Sequence, residues 1–157
     1  MARPNALLNM WQKLSGLPAG KWLFSRLVCF KAPYFASIRP RFDVLQAGRA
    51  QVSIKKRRKV QNHIGTVHAI AMCNMAELAA GTMTDVTIPP SHRWIPKGMT
   101  VEYVKKAETS LRAIATLDTP ADWGSGINLP VQVEVLDTND QIVLLATVTM
   151  WVSAKKA

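Results

Sequence analysis

The 157 residues predict an α+β fold in which one long helix is enclosed by a curved antiparallel sheet, with short helices ahead of it. Three observations carry that prediction. Residues Thr66 to Ala80 form an apolar run with no polar stripe, strand-like alternation flanks this run on both sides, and two short helical patterns precede residue 34. With 48% hydrophobic and 19% charged residues, the chain can bury a substantial core, which excludes a disordered basic tail or a histone-like arm. Its length suits one compact core.

The segment from Asn5 to about Ser15 reads as an amphipathic helix, because Leu7, Leu8, Trp11 and Leu14 return at helical spacing before Gly16. After Pro18, Gly20–Phe30 offers a second helix with Trp22, Leu23, Leu27 and Phe30 apolar and Lys21 and Arg26 polar, closed by Pro33. Together they form an N-terminal helical extension over residues 1–34, expected to pack on a main domain of residues 35–157 rather than on a membrane. From Ile38 the period changes to two: Phe42 and Val44, then Val52 and Ile54, alternate with polar residues around an Ala47–Gly48 turn, which makes a hairpin. The long helix follows, entered through Asn62-His63-Ile64-Gly65 and expected to end at Gly81. Four strands complete the chain, at Met99–Lys106, Ser110–Asp118, Leu129–Asp137 and Gln141–Ser153. No internal repeat is present.

The net charge of +10 is unevenly placed: residues 1–60 hold 13 Lys and Arg against one acid, Asp43, whereas residues 61–157 hold seven against nine acids. Such a basic segment attracts nucleic acid, anionic headgroups or the phosphates of nucleotide-like molecules. Cys29 and Cys73 are too few for a disulfide scaffold, and a reducing, cytoplasmic setting is expected. Lys13, Lys21 and Arg26 interrupt the apolar start, so no signal-peptide core is read there. The longest stretch without Asp, Glu, Lys or Arg, Val60–Ala76, is too polar to span a bilayer.

Glu77 is the only formal charge between Lys59 and Asp85, and it falls in the apolar helix. A carboxylate there must reach an edge, find a partner, or serve a chemistry that uses its position. At the other end of the helix Asn62, Gly65, Thr66 and His68 cluster where free backbone N–H groups and the positive end of the helix dipole converge. That arrangement suits either a cap or the stabilisation of a developing oxyanion. His68 and Glu77 are nine residues apart, hence on opposite faces of a helix and roughly 13 Å apart along its axis. One helix cannot aim both at one atom, so a shared site predicts a homodimer with two equivalent sites.

The run Asn62-His63-Ile64-Gly65-Thr66-Val67-His68-Ala69-Ile70-Ala71-Met72-Cys73-Asn74-Met75-Ala76-Glu77-Leu78-Ala79 resembles the signature of hotdog-fold acyl-CoA thioesterases of the phenylacetyl-CoA thioesterase type. It is more similar still to small hotdog proteins of unknown function whose helix carries Glu within Ala-Glu-Leu-Ala. The resemblance covers about residues 35–153 and implies a hotdog fold and hydrolysis of a thioester carried by coenzyme A or an acyl-carrier protein. It further implies Glu77 as general base or nucleophile and the Ala69 N–H as the oxyanion donor. Asn62 and His68 would orient the thioester or the attacking water, and Thr84, placed just past the helix end, would assist that water. Gly65, Thr66 and Ile70 would line the substrate. A dimer, or a dimer of dimers, is implied, with coenzyme A present only as substrate and no cofactor or metal. The chain departs from the pattern at Ala69-Ile70, where the family carries Gly-Gly, and at Glu77, where Asp is commoner.

The basic run Lys55-Lys56-Arg57-Arg58-Lys59 leads directly to Asn62. Arg57, Arg58 and Lys59, with Lys105 and Lys106, are therefore expected to draw in coenzyme A phosphates, the bland reading being a solvated strand end. Nucleic acid is not the expected partner, because aromatics are only 7% of the chain and no stacking motif is present. His63 and His68 do not have the spacing of two ligands on one helical face, so no metal is expected. Two other readings remain at this point: a non-catalytic acyl-CoA binder, suggested by Ala69-Ile70, and a basic nucleic-acid or membrane-surface binder.

Overall fold

The computed structural model describes residues 5–156. Helix α1 (Ala6–Leu14) and helix α2 (Gly20–Lys31) come first, followed by a 3₁₀ turn over Pro33–Ile38. Strands β1 (Arg41–Gln46) and β2 (Arg49–Ile54) form the hairpin, with Gly48 at φ +76° supplying the left-handed turn residue. Helix α3 (Ala69–Thr87) is the long central one. Strands β3 (His92–Tyr103), β4 (Leu111–Thr116), β5 (Gly126–Leu136) and β6 (Ile142–Ala154) follow, and all six strands make one antiparallel sheet in the order β1-β2-β4-β5-β6-β3.

The sheet wraps α3 because inward and outward residues alternate. In β4, Leu111, Ala113 and Ala115 are buried and point at the helix, and in β5 Leu129, Val131, Val133 and Val135 do the same. Met75, Ala76, Ala79, Ala80 and Met83 of α3 are fully buried against them. The N-terminal extension joins this core through aromatic rings. Trp11 meets Phe24 edge-on at 5.0 Å, and Phe24 meets Phe42 of β1 at 5.1 Å. Helix α2 also covers the free edge of β1, where the Ser25 hydroxyl accepts the Phe42 amide at 2.9 Å.

Three expectations about element limits need correction. The central helix starts at Ala69 rather than Thr66, because His68 is its N-cap and residues 61–67 form a closed loop with a Gln61–Val67 bridge. It also runs through Gly81 to Thr87. Gly81 is not a stop: a Cβ there would lie 2.8 Å from the ring of Trp94, so the glycine admits an indole against the helix. Finally, β3 begins at His92 rather than Met99. Pro96 is tolerated because β3 is an edge strand with a bulge between Pro96 and Gly98.

Candidate active site

One stripe of α3 faces the edge strand β3. The Cys73 sulfur lies 3.6 Å from the Tyr103 hydroxyl, Glu77 shares a cleft with Pro96, Lys97, Gly98 and Met99, Gly81 receives the Trp94 ring, and Asp85 Oδ1 accepts the Trp94 Nε1–H at 3.0 Å. These helix positions are four residues apart, so helix and strand run side by side along the whole stripe. The Cys73 contact, with a smaller effect of burial, holds the Tyr103 phenol above its ordinary range.

Glu77 is half-buried in this stripe, beneath the bulge of β3. Its cleft has a volume of about 280 Å³, with Val148 also in the lining. Among the described residues no side chain donates a hydrogen bond to the carboxylate and no cation forms a salt bridge with it. Lys97 shares the cleft, but its ammonium donates to Asn128 Oδ1 at 3.2 Å and stands over the Trp151 ring. A carboxylate with open lone pairs in a cleft can take a proton from water. The strand above it exposes Ile95, Met99, Tyr103 and the adjoining Val104, and its outer edge has no partner strand among the described residues.

At the helix N-terminus the polar cluster organises backbone. Asn62 Oδ1 accepts the Ile64 and Thr66 amides at 3.2 and 3.1 Å, and its Nδ2 donates to the Thr66 hydroxyl at 2.8 Å. Gly65 turns the loop at φ +80°, and the His68 amide donates to the Val60 carbonyl at 2.8 Å. The His68 ring caps the helix, its Nδ1 accepting the Ile70 amide at 3.0 Å. Among the described residues the Ala69 amide has no acceptor, so a free donor stands at the positive end of the helix. Ile70 projects beside it and is 55% exposed.

The other predicted residues divide. Thr84 lies inside α3, fully buried, and its hydroxyl donates to the Ala80 carbonyl at 2.8 Å, so it is not past the helix end and is not placed to assist a water. Lys105 is held by Gln141 and lies 3.6 Å from Asp137. Arg57 donates to the Ser37 carbonyl at 2.7 Å. Arg58 and Lys59, in a 3₁₀ turn, and Lys106 are exposed. Glu77 and the N-terminus of α3 are not brought together within one chain. Asn74, one turn before Glu77, was not singled out in the sequence. It is buried, its Nδ2 donates to the Ser37 hydroxyl at 3.2 Å, and its Oδ1 has no partner. A lone amide in an apolar helix was the available signal.

Among the described residues no helix is long and apolar enough to cross a membrane, and no cluster of His, Cys, Asp and Glu could hold a metal ion. Residues 20–152 match the model of a domain of unknown function, DUF4442. No curated protein matches. Among solved crystal structures, a structural-genomics protein whose name states no function shares 49% identity, with a TM-score of 0.82 over 95% of this chain and 98% of that one. A Pseudomonas aeruginosa protein named "Probable Thioesterase" has 21% identity and a TM-score of 0.75, covering 88% of this chain and 97% of its own. A Haemophilus influenzae thioesterase has 8% identity and a TM-score of 0.71, covering 82% and 87%. The shared architecture is the hotdog fold, a long helix wrapped by a curved antiparallel sheet.

Proposed function

This chain belongs to the DUF4442 family, and on that premise we propose that it is a hotdog thioesterase hydrolysing an acyl thioester of coenzyme A or of an acyl-carrier protein. The observation that carries the reading is Glu77, an unpartnered carboxylate at the mouth of a cleft under a bulged edge strand. The sites form between two copies of the chain. Pairing along the free edge of β3 buries Ile95, Met99 and Tyr103 and lets the Glu77 cleft of one copy meet the α3 N-terminus of the other. A dimer of such dimers is compatible with the same edge pairing.

In the proposed reaction Glu77 takes a proton from water as the hydroxide oxygen bonds to the thioester carbonyl carbon. The carbonyl oxygen becomes an oxyanion and is met by the Ala69 N–H at the positive end of α3. The tetrahedral adduct then collapses, the carbon–sulfur bond breaks, and the departing thiolate receives the proton from Glu77. Thiolates leave without strong acid catalysis, so one carboxylate and one oxyanion donor suffice. Glu77 acting first as nucleophile, through an acyl-enzyme anhydride, uses the same geometry. Asn62 and His68 serve by fixing the loop and the first turn that present the Ala69 amide. The reading places the protein in the cytoplasm, with coenzyme A as part of the substrate and no cofactor.

The test is thiol release from a panel of acyl-CoA substrates, with Glu77→Ala as control. We expect a loss of 10²-fold or more, with the dimer intact by sedimentation. Full activity in Glu77→Ala would overturn the assignment. Ile70, exposed where the phenylacetyl-CoA thioesterase pattern that the motif resembles carries glycine, favours a second reading, an acyl-CoA binder without turnover. Tight binding of acyl-CoA without thiol release selects it.

A further inference from the structure

Apart from the Glu77 cleft, a wider groove of about 1180 Å³ lies between the N-terminal extension and the ends of β2 and β4. Lys21, Arg26, Arg39, Arg41, Lys55 and Arg57 line it, and Arg112 adds a seventh cation. Lys21 and Arg26 come from α2, Arg39 and Arg41 from the entry to β1 and Arg112 from β4, so only Lys55 and Arg57 belong to the basic run after β2. The single acid in the lining, Asp137, is buried and occupied. It accepts the Asn139 and Gln141 amides at 2.8 and 3.0 Å and lies beside Lys105. Arg112 is paired with Asp140, and Arg41 with Asp43 at 3.5 Å.

Of the remaining cations, three are anchored but not neutralised. Lys21 donates to the Asp43 carbonyl at 2.9 Å, Arg26 to the Pro40 carbonyl at 3.0 Å and Arg57 to the Ser37 carbonyl at 2.7 Å. A carbonyl fixes a guanidinium in place yet leaves its charge uncompensated, which is costly for groups held together. Burial, and then the neighbouring Arg39 charge, push the Arg57 guanidinium below its ordinary value. Arg26 carries a further mark: its Nε is buried and has no acceptor. A recessed donor without a partner, in a concave wall of like charges, fits a small phosphate-bearing molecule better than the flat surface of an acidic protein. On one side of the groove Trp22, 61% exposed, and Leu17, 57% exposed, offer an apolar wall on which a base can stack.

We propose that this groove binds a phosphate-rich nucleotide and, resting on the thioesterase reading, that it docks the phosphorylated adenosine end of a coenzyme A thioester. The groove and the α3 N-terminus share a chain segment: Arg57 is three residues before Val60, whose carbonyl accepts the His68 amide. A ligand anchored by its phosphates at Arg26, Arg39 and Arg57 is therefore held next to the loop that presents the Ala69 amide.

Calorimetric titration of the full chain with adenosine 3′,5′-bisphosphate is the direct test. We expect one molecule bound per chain, with an affinity that falls steeply as salt rises. The double variant Arg39→Gln/Lys55→Gln changes two exposed side chains with no partner among the described residues, and it should weaken binding about tenfold or more. Trp22→Ala should weaken the nucleotide but not inorganic pyrophosphate, which separates a nucleotide from a bare anion. No bisphosphate binding, unchanged affinity in the double variant, or equal binding of pyrophosphate would each overturn the proposal. So would binding only to vesicles of anionic phospholipid. The ratio of kcat/KM for an acyl-CoA to that for the same acyl group on N-acetylcysteamine, which has no nucleotide, should fall about tenfold in the double variant. Bisphosphate binding in a protein that releases no thiol sinks the hydrolase reading and leaves the groove. Hydrolysis lost in Glu77→Ala but with that ratio unchanged in the double variant sinks the groove alone.

Discussion

The two long faces of α3 are built from similar apolar sequence and lie in different surroundings. On one, Met75, Ala76, Ala79 and Met83 are fully buried under β2, β4 and β5, each of which is paired on both edges. On the other, Cys73, Glu77, Gly81 and Asp85 lie along β3, which among the described residues is paired only with β6 and bulges beside Glu77. A carboxylate on the first face would be desolvated with nothing to replace water. On the second, it keeps a cleft and open lone pairs. The composition of the helix does not separate the faces; what covers each of them does.

The largest effect expected from this contrast is on stability. Met83→Ala empties a fully buried site in the closed face and should cost about 2–5 kcal/mol in denaturant unfolding. Glu77→Ala removes a half-buried side chain with no partner among the described residues and should stay within about 0.5 kcal/mol. Both are measured at one protein concentration, since the stability of any oligomer depends on it. An equal loss in the two variants would make Glu77 a structural residue and erase the distinction between the faces.

A second pair of variants sharpens the role of β3. Gly81→Ala places a Cβ 2.8 Å from the Trp94 ring, and that ring also holds Asp85. Strand and helix must part, at a cost of about 1–3 kcal/mol. Gly16→Ala meets nothing within 4 Å and should be neutral or slightly stabilising. Thermal unfolding of the two variants gives the comparison, and a neutral Gly81→Ala would mean that β3 is only loosely seated on α3.

Much of this architecture was legible in the sequence, for local reasons. The helix without a polar stripe demanded enclosure, the Ala47–Gly48 turn fixed a hairpin, and the isolation of Glu77 in an apolar run marked it for attention. The errors share a cause in contacts distant along the chain. Gly81 looked like a stop because the Trp94 that explains it comes 13 residues later. Pro96 hid the first half of β3, since only its edge position permits a proline there. Thr84 was placed beyond a helix that in fact continues to Thr87. Asn74 acquires meaning only when Ser37 is brought against it. The run Lys55–Lys59 was visible, yet the groove it serves draws most of its cations from scattered positions between 21 and 41.

The smallest expected effect decides what His68 does. Its Nδ1 accepts the Ile70 amide, so removing the ring in His68→Ala should cost about 0.5–2 kcal/mol, the worth of a helix N-cap. His68→Asn supplies another acceptor of suitable length at the cap and should restore most of that stability. Thiol release in the two variants then separates capping from chemistry. If the imidazole only holds the first turn so that the Ala69 amide points correctly, activity should return in step with stability in His68→Asn. If activity stays low while the unfolding midpoint recovers, the ring itself meets the thioester or the water, and the exposed end of α3 is a chemical partner of Glu77 rather than its scaffold.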